Sequence, residues 1–158
     1  MQLKASTDYG MRAILYLAAQ GTTCSSKDIA EDMSIPRDYL IQLAQLLRNA
    51  GIIEARPGKH GGYRLAKDPA ETNVLEIMEA LDDDAKQSTR AKRDARKGGA
   101  MVQEIKQVYD LIEESMDAYL SSLTVQMLLD CARNGDNSRT FLAERLQEES
   151  RRLLDAVK

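Results

Sequence analysis

Apolar positions along this chain recur mostly at the period of a helix, interrupted by one alternating stretch and one with no large apolar residue. Tyr9, Ala13, Ile14, Leu17 and Ala18 form one stripe, which predicts a helix capped by Ser6 and ending near Gly21. Ile29, Ala30 and Met33 predict a short second helix over about 26–33, with Ser34 and Ile35 as a tight link behind it. Leu40, Leu43, Ala44 and Leu47 then fall at i, i+3, i+4 and i+7 and turn inward. Their helix begins with Pro36 and stops at Asn49-Ala50-Gly51, which is ordinary start and stop chemistry. Arg37, Asp38, Ile41, Gln42, Gln45 and Arg48 are left on its outer face. Residues 52–65 read as two short strands around Arg56-Pro57-Gly58-Lys59-His60-Gly61-Gly62-Tyr63, a glycine-rich hairpin signal. A short helix follows over about 72–81, with Val74, Leu75, Ile77, Met78 and Leu81 apolar.

The pattern changes at 85–100, which holds six Lys/Arg and one Asp but nothing able to cover a core, and so reads as a linker or a solvated helix extension. Beyond it, Met101, Ile105, Val108, Ile112, Met116, Tyr119 and Leu123 advance by fours and threes, widened by Val102, Tyr109 and Leu120. A long helix with a seam near the 3.5-residue repeat packs along another helix, and one chain offers little to cover it. A helix over 125–134, closed by Asn134-Gly135, and a final amphipathic helix carrying Phe141, Leu142, Leu146, Leu153, Leu154 and Val157 complete the reading.

A helix that runs straight into a basic hairpin is the layout of a winged helix-turn-helix, with the helix in a DNA major groove and the wing on phosphates or in the minor groove. The expected fold is therefore mainly α. A winged head with a small β-hairpin spans 1–82, a basic linker 83–100, and a helical dimerisation region 101–158. The candidate DNA contacts are Pro36, Arg37, Asp38, Tyr39, Ile41, Gln42 and Gln45 on the helix, and Arg56, Gly58, Lys59, His60, Gly61 and Gly62 on the wing. Gln42 suits paired hydrogen bonds to adenine, Arg37 suits guanine or a phosphate, and Ile41 suits a thymine methyl. Asp38 either accepts from a cytosine amine or simply favours the helix N-terminus. Tyr39 either bonds a phosphate or packs on the first helix, and the wing glycines serve the turn, a close approach to a groove, or both. Met101, Ile105, Val108, Ile112, Met116 and Tyr119 are the candidate dimer contacts.

Charge sharpens this picture. The chain carries −3 overall, yet residues 1–67 hold nine Lys/Arg against six Asp/Glu, a net of +3. A mildly basic head on an acidic body fits a protein that touches phosphate with one end. Cys24 and Cys131 show no metal-ligand spacing and no disulfide framework, and His60 is the lone histidine. Cys24, just before the second helix, has the position of a redox-sensing thiol, but isolated cysteines are mostly inert and that is the favoured reading; Cys131 follows an apolar run and reads as packing. No cofactor or metal site is expected. Neither paired catalytic carboxylates with a histidine nor a phosphate-cradling Gly-Lys-Ser/Thr loop appears, which argues against an enzyme. No apolar run reaches the ~20 residues that cross a bilayer, and the expected location is the cytoplasm. The competing reading keeps the winged fold as a protein–protein adaptor, motivated by the outward Ile41 and Asp38.

Several fragments resemble one bacterial family. Ser6-Thr7-Asp8-Tyr9-Gly10-Met11-Arg12-Ala13-Ile14 is similar to the opening helix of the Rrf-two-type regulators, the family of the iron–sulfur cluster regulator, the nitric-oxide-sensing repressor and the cysteine-metabolism repressor. Ile35 through Leu43 resembles their recognition helix. Leu47-Arg48-Asn49-Ala50-Gly51-Ile52-Ile53 with Gly61-Gly62-Tyr63-Arg64-Leu65 resembles their wing. Leu120-Ser121-Ser122-Leu123-Thr124-Val125 resembles the turn out of their long helix. The resemblance implies a homodimer on a palindromic operator, read here as a repressor; its switch is left open between an unknown small molecule, oxidation of Cys24, a partner protein and no effector at all. Two departures stand out. Cluster-holding members use three closely spaced cysteines just before the long helix, and 82–100 here has none. The family's wing arginine falls at Pro57, so that contact passes to Arg56 or to Lys59 and His60.

Overall fold

The computed structural model describes residues 4–82, 99–135 and 138–156. Seven helices and one hairpin appear among them: α1 (Ala5–Gln20), α2 (Ser26–Asp32), α3 (Arg37–Asn49), β1 (Ile53–Arg56), β2 (Gly62–Leu65), α4 (Val74–Leu81), α5 (Ala100–Ser122), α6 (Val125–Asn134) and α7 (Ser138–Ala156). The expected mainly helical winged head is what the chain forms. The basic 83–100 linker lies outside the described residues apart from Gly99 and Ala100.

Helix starts differ from the sequence reading in two places. α1 begins at Ala5 with Lys4 in the capping position, so Ser6 lies inside the first turn and does not cap. The Lys4 carbonyl takes the Asp8 N–H at 3.0 Å, and that bond starts the helix two residues early. Pro36 occupies the cap of α3 and not its first turn, with ψ at 123°. Its carbonyl still accepts the Leu40 N–H at 2.9 Å.

The α2–α3 link does more than connect. Ser34 takes a left-handed φ of 53°, rare for a residue with a Cβ, and this reverses the chain within two residues. Ile35, read as a plain link, is buried in the core, and its N–H donates to Ala30 at 2.9 Å. At the far end of α3, Gly51 donates to Arg48 at 2.9 Å and Ile52 to Leu47 at 3.0 Å. That paired pattern around a left-handed glycine is a Schellman ending, and the buried Leu47 and Ile52 supply its apolar contact. It delivers the chain directly into β1.

β1 and β2 pair antiparallel, Ile53 with Leu65, Glu54 with Arg64, Ala55 with Tyr63 and Arg56 with Gly62. Two four-residue strands are marginal alone. Cys24 adds an isolated bridge on the other edge of β2: its N–H donates to the Tyr63 carbonyl at 2.9 Å, and Tyr63 N–H returns a bond to the Cys24 carbonyl at 2.8 Å. A Cβ at Gly62 would lie 2.0 Å from that Cys24 carbonyl, so only glycine lets the segments meet. Gly10 plays a similar part in α1, where a Cβ would press on the Leu81 side chain of α4 at 2.3 Å.

One core gathers Ile14 and Leu17 from α1, Ile29 from α2, Leu40, Leu43 and Leu47 from α3, Ile77 and Leu81 from α4, and Val125 from α6. α4 opens with a capping box that the periodicity alone does not reveal: Asn73 Oδ1 accepts the Glu76 N–H, and Glu76 Oε1 accepts the Asn73 N–H, both at 2.9 Å. The loop before α4 is stitched to the α5–α6 junction. Val74 N–H donates to Leu123 O and Val125 N–H to Thr72 O, each at 2.9 Å, and Gln126 N–H donates to Pro69 O at 3.0 Å. Backbone bonds therefore connect the long helix to the head.

α5 differs in kind. None of its 23 residues is buried, and Met101, Val108 and Tyr109 are 68%, 55% and 66% exposed.

Candidate nucleic-acid interface

The outer face of α3 is open. Pro36, Arg37, Asp38, Ile41, Gln42 and Gln45 are exposed, and no described segment lies over them. Ile41, at 42%, is a β-branched side chain standing in water. Arg37, Ile41, Gln45 and Arg48 follow at steps of four, four and three, so they form one stripe along the helix. Arg48 belongs with the candidate contacts although the sequence reading left it out of them. The signal was its spacing, which already put it on the outer face. Leu46, beside the stripe, is also exposed.

Individual side chains on the first turn of α3 are held from behind. Arg37 Nε and Nη2 both donate to Ser26 Oγ, at 3.3 and 3.4 Å, which ties the start of α3 to the start of α2. Asp38 sits in the first turn, where a carboxylate offsets the positive end of the helix dipole. Tyr39 is half-buried, its ring edge-on to Tyr9 at 5.8 Å between centroids and 82° between planes. Of its two readings, packing on the first helix is thus realised in the free chain.

On the wing, Arg56, Pro57, Gly58, Lys59 and His60 are exposed, while Gly61 and Gly62 are half-buried. Gly61 N–H closes the turn on Gly58 O at 2.9 Å. A Cβ at Gly61 would lie 2.2 Å from the Arg56 carbonyl. The close approach that Gly61 and Gly62 permit is therefore to the protein's own backbone. Arg64, one strand inward, is taken by Glu54 through Nε at 2.9 Å and Nη2 at 2.7 Å. Among the described residues, Arg48, Arg56 and Lys59 have no carboxylate within ion-pair distance. Three uncommitted cations thus border the open face.

Two titratable groups lie behind this surface. Burial pushes the Cys24 thiol above its ordinary pKa, and the Asp28 carboxylate pushes the same way. Of the two readings of Cys24 this favours the unreactive one: the residue is buried in the core, where neutral thiol is favoured. Tyr16, pushed up to about 12 chiefly by its hydrogen bond to Asp32, ties α1 to α2 at 2.8 Å.

Cysteine-ligated iron–sulfur clusters need several converging thiolates. The chain has two cysteines, Cys24 within the head core and Cys131 on α6, and 82–100 has none. The residues present do not fit such a group.

The comparisons agree with this geometry. Residues 3–131 match the Rrf2 family, described as iron-dependent transcriptional regulator. The chain is similar to the HTH-type transcriptional regulator NsrR of Shouchella clausii, 30% identical over 151 residues that cover 94% of this chain and 100% of the relative. A second relative, the HTH-type transcriptional regulator NsrR of Bacillus subtilis, is 30% identical over 144 residues, covering 90% and 97%. Among solved structures, T. potens IscR superposes with a TM-score of 0.67 at 28% identity, covering 84% of this chain and 88% of that one. The oxidized form of Staphylococcus aureus CymR superposes at 0.61 and 27%, covering 82% and 96%.

Proposed function

This chain belongs to the Rrf2 family of transcriptional regulators, and on that premise we propose that it works as a homodimeric repressor on a palindromic DNA operator, without an iron–sulfur cluster. The observation that carries the reading is the open stripe Arg37–Ile41–Gln45–Arg48, continuous through the Schellman turn with a wing whose Arg56 and Lys59 are unpaired among the described residues. Nothing in the described chain competes for that face.

The division of labour follows from chemistry. Gln42, Arg37 and Ile41 read base edges; Gln45 lies beside them and Pro36 sets the entry of the helix. Arg48, Arg56, Lys59 and His60 hold phosphate and supply affinity that carries no sequence information. Asp38 stabilises the helix start and disfavours a phosphate there. Gly58, Gly61 and Gly62 shape the wing so that Arg56 and Lys59 stand at its tip. The exposed seam of Met101, Ile105, Val108, Ile112 and Met116, with Tyr119 at its inner end, pairs with a second copy. Two copies place their α3 helices about 34 Å apart or a multiple of it, matching the helical repeat of B-DNA.

The repressor acts in the cytoplasm, where its operator is; among the described residues no helix is long and apolar enough to cross a membrane. Its signal reaches it through a small molecule or a partner protein and not through a cluster. Genome-wide mapping of bound sites, followed by footprinting and salt titration, tests the whole reading. The expected result is a two-fold symmetric footprint whose log K falls with log salt at a slope on the order of −5, for three phosphate-holding cations per copy. Binding to every natural promoter no tighter than to random duplex would sink it and favour a protein-docking role for the same face. The purified protein is expected to be colourless, and a brown protein bleached by chelators would refute the cluster-free assignment.

A further inference from the structure

α6 begins where α5 ends, and its first turn is held by the head. A helix start leaves its first N–H groups without partners inside the helix. In α6 they are met from outside it: Val125 N–H donates to Thr72 O at 2.9 Å, Gln126 N–H to Pro69 O at 3.0 Å, and Met127 N–H to Thr124 Oγ1 at 3.2 Å. The first two acceptors are carbonyls of the loop between β2 and α4. Val74 N–H returns a bond to Leu123 O at 2.9 Å, so Asn73 and Thr124 face each other as an isolated antiparallel bridge. Both are capping residues, Asn73 of α4 and Thr124 of α6, and both are extended, with φ/ψ of −103°/164° and −95°/158°. The backbone that suits an N-cap also suits a strand pair, so two helices start from one bridge.

The loop that offers these carbonyls is shaped by bonds of its own. Asp68 O accepts the N–H groups of Glu71 and Thr72, at 2.9 and 3.1 Å, and the Thr72 hydroxyl at 3.1 Å. Asp68 Oδ1 accepts the Ala70 N–H at 2.8 Å. Thr72 is fully buried, so its hydroxyl depends on that bond. Packing alone would leave the joint loose. α4 lies along α5, and Leu123 and Val125 are buried at the corner, but apolar contact has no direction. Hydrogen bonds weaken steeply once their angle is lost, so they fix how the corner sits. In a dimer the paired long helices set the axis, and this corner sets where each head stands relative to it. Moving a half-site by one base pair displaces it about 3.4 Å along the duplex, a step that a rigid joint rejects and a loose one follows.

The geometry points to Asp68 and Thr72 as positioning residues for the α5–α6 corner: they hold the loop carbonyls that seat α6, and so set the half-site spacing that the dimer accepts. The inference rests on the reading of the chain as a dimer with α3 on DNA. It adds to operator choice two residues that lie neither on the α3 face nor on the α5 seam.

The test uses full-length protein with Thr72→Val, Thr72→Ser, Asp68→Ala and Asp68→Asn. Affinity is measured on the mapped operator, on the same operator with one base pair added or removed between its half-sites, and on an isolated half-site. Thr72→Val is expected to lower the mapped-to-shifted ratio about fivefold, with half-site affinity held within about twofold. Asp68→Ala lowers the ratio about twofold. Thr72→Ser keeps the hydroxyl, Asp68→Asn keeps the acceptor, and both retain the wild-type ratio. An unchanged ratio in Thr72→Val overturns the inference, and so does an equal loss on every duplex, which would mark general destabilisation. Amide exchange in the free protein tells this failure from failure of the dimeric reading. With Thr72→Val, the Val125 and Gln126 amides should exchange about fivefold faster while Leu43 stays unchanged. Equal exchange at Val125 in wild type and Thr72→Val refutes the positioning role. A wild type that binds mapped and shifted operators alike sinks the dimeric reading and the spacing role together, and the exchange contrast then decides the corner on its own.

Discussion

α1 and α5 are both amphipathic helices of the same chain, yet the first seals Ile14 and Leu17 in a core while the second buries nothing along 23 residues. Their apolar stripes read alike in the sequence. The difference is supply: α1 is flanked by α3, α4 and α6, which together close over it, whereas the seam of α5 faces outward with Met101, Ile105, Val108 and Ile112 uncovered. Contiguous exposed apolar surface on a folded chain marks a place where something else binds. The head closes a core of its own, and the long helix leaves its seam uncovered.

The sharpest way to break that contrast is to charge the seam. The double substitution Ile105→Asp and Ile112→Asp is expected to halve the mass seen by analytical ultracentrifugation and to weaken operator binding about a hundredfold, because two tethered heads become one. Helix content and the head's thermal transition should survive. A mass that stays unchanged would show that the seam is not the dimer contact.

The reciprocal change attacks the head. Leu43→Ala opens a cavity at a fully buried site and should cost about 2–5 kcal/mol in chemical denaturation, with self-association kept. Loss of dimerisation alongside it would mean that the two regions are less separate than their burial suggests.

Asn73 stands at the junction, capping α4 while its neighbours Thr72 and Val74 bond the backbone of the α5–α6 turn. Asn73→Ala should cost about 1 kcal/mol of stability, measured in urea. Faster amide exchange at both Val74 and Val125 would show that cap and junction open together; a change at Val74 alone would separate them.

The smallest effect is a pH dependence confined to the head. Tyr16 keeps its proton in the folded state up to about 12, whereas an unfolded tyrosine loses it near 10. Its contribution is therefore complete below pH 10 and fades as pH climbs from 10 towards 12. Tyr16→Phe should flatten that part of the melting-temperature profile, and an unchanged alkaline slope would assign it elsewhere.

Much of this protein was legible in its residues because the relevant forces are local. Periodicity placed α2, α3, α6 and the wing, the left-handed Gly51 ended α3, and the open faces of α3 and α5 followed from which positions were polar or surplus. The capping box at Asn73 and Glu76 follows an Asn-x-x-Glu spacing ahead of an apolar run, which the reading by apolar period passed over. Other features depend on residues distant in sequence. Ile35 became core because α2 and α3 close over the link, and Cys24 became a buried bridge because Tyr63 and Gly62 dock against it from across the head. Val125 joined the head core from beyond the long helix. Tyr39 settled on Tyr9 only once α1 crossed the start of α3. Side-chain period is a property of neighbours a few residues apart, so the chain declares it. Burial, thiol chemistry and the company of an aromatic ring are set by segments that meet only when the backbone has folded, and those the tertiary structure alone decided.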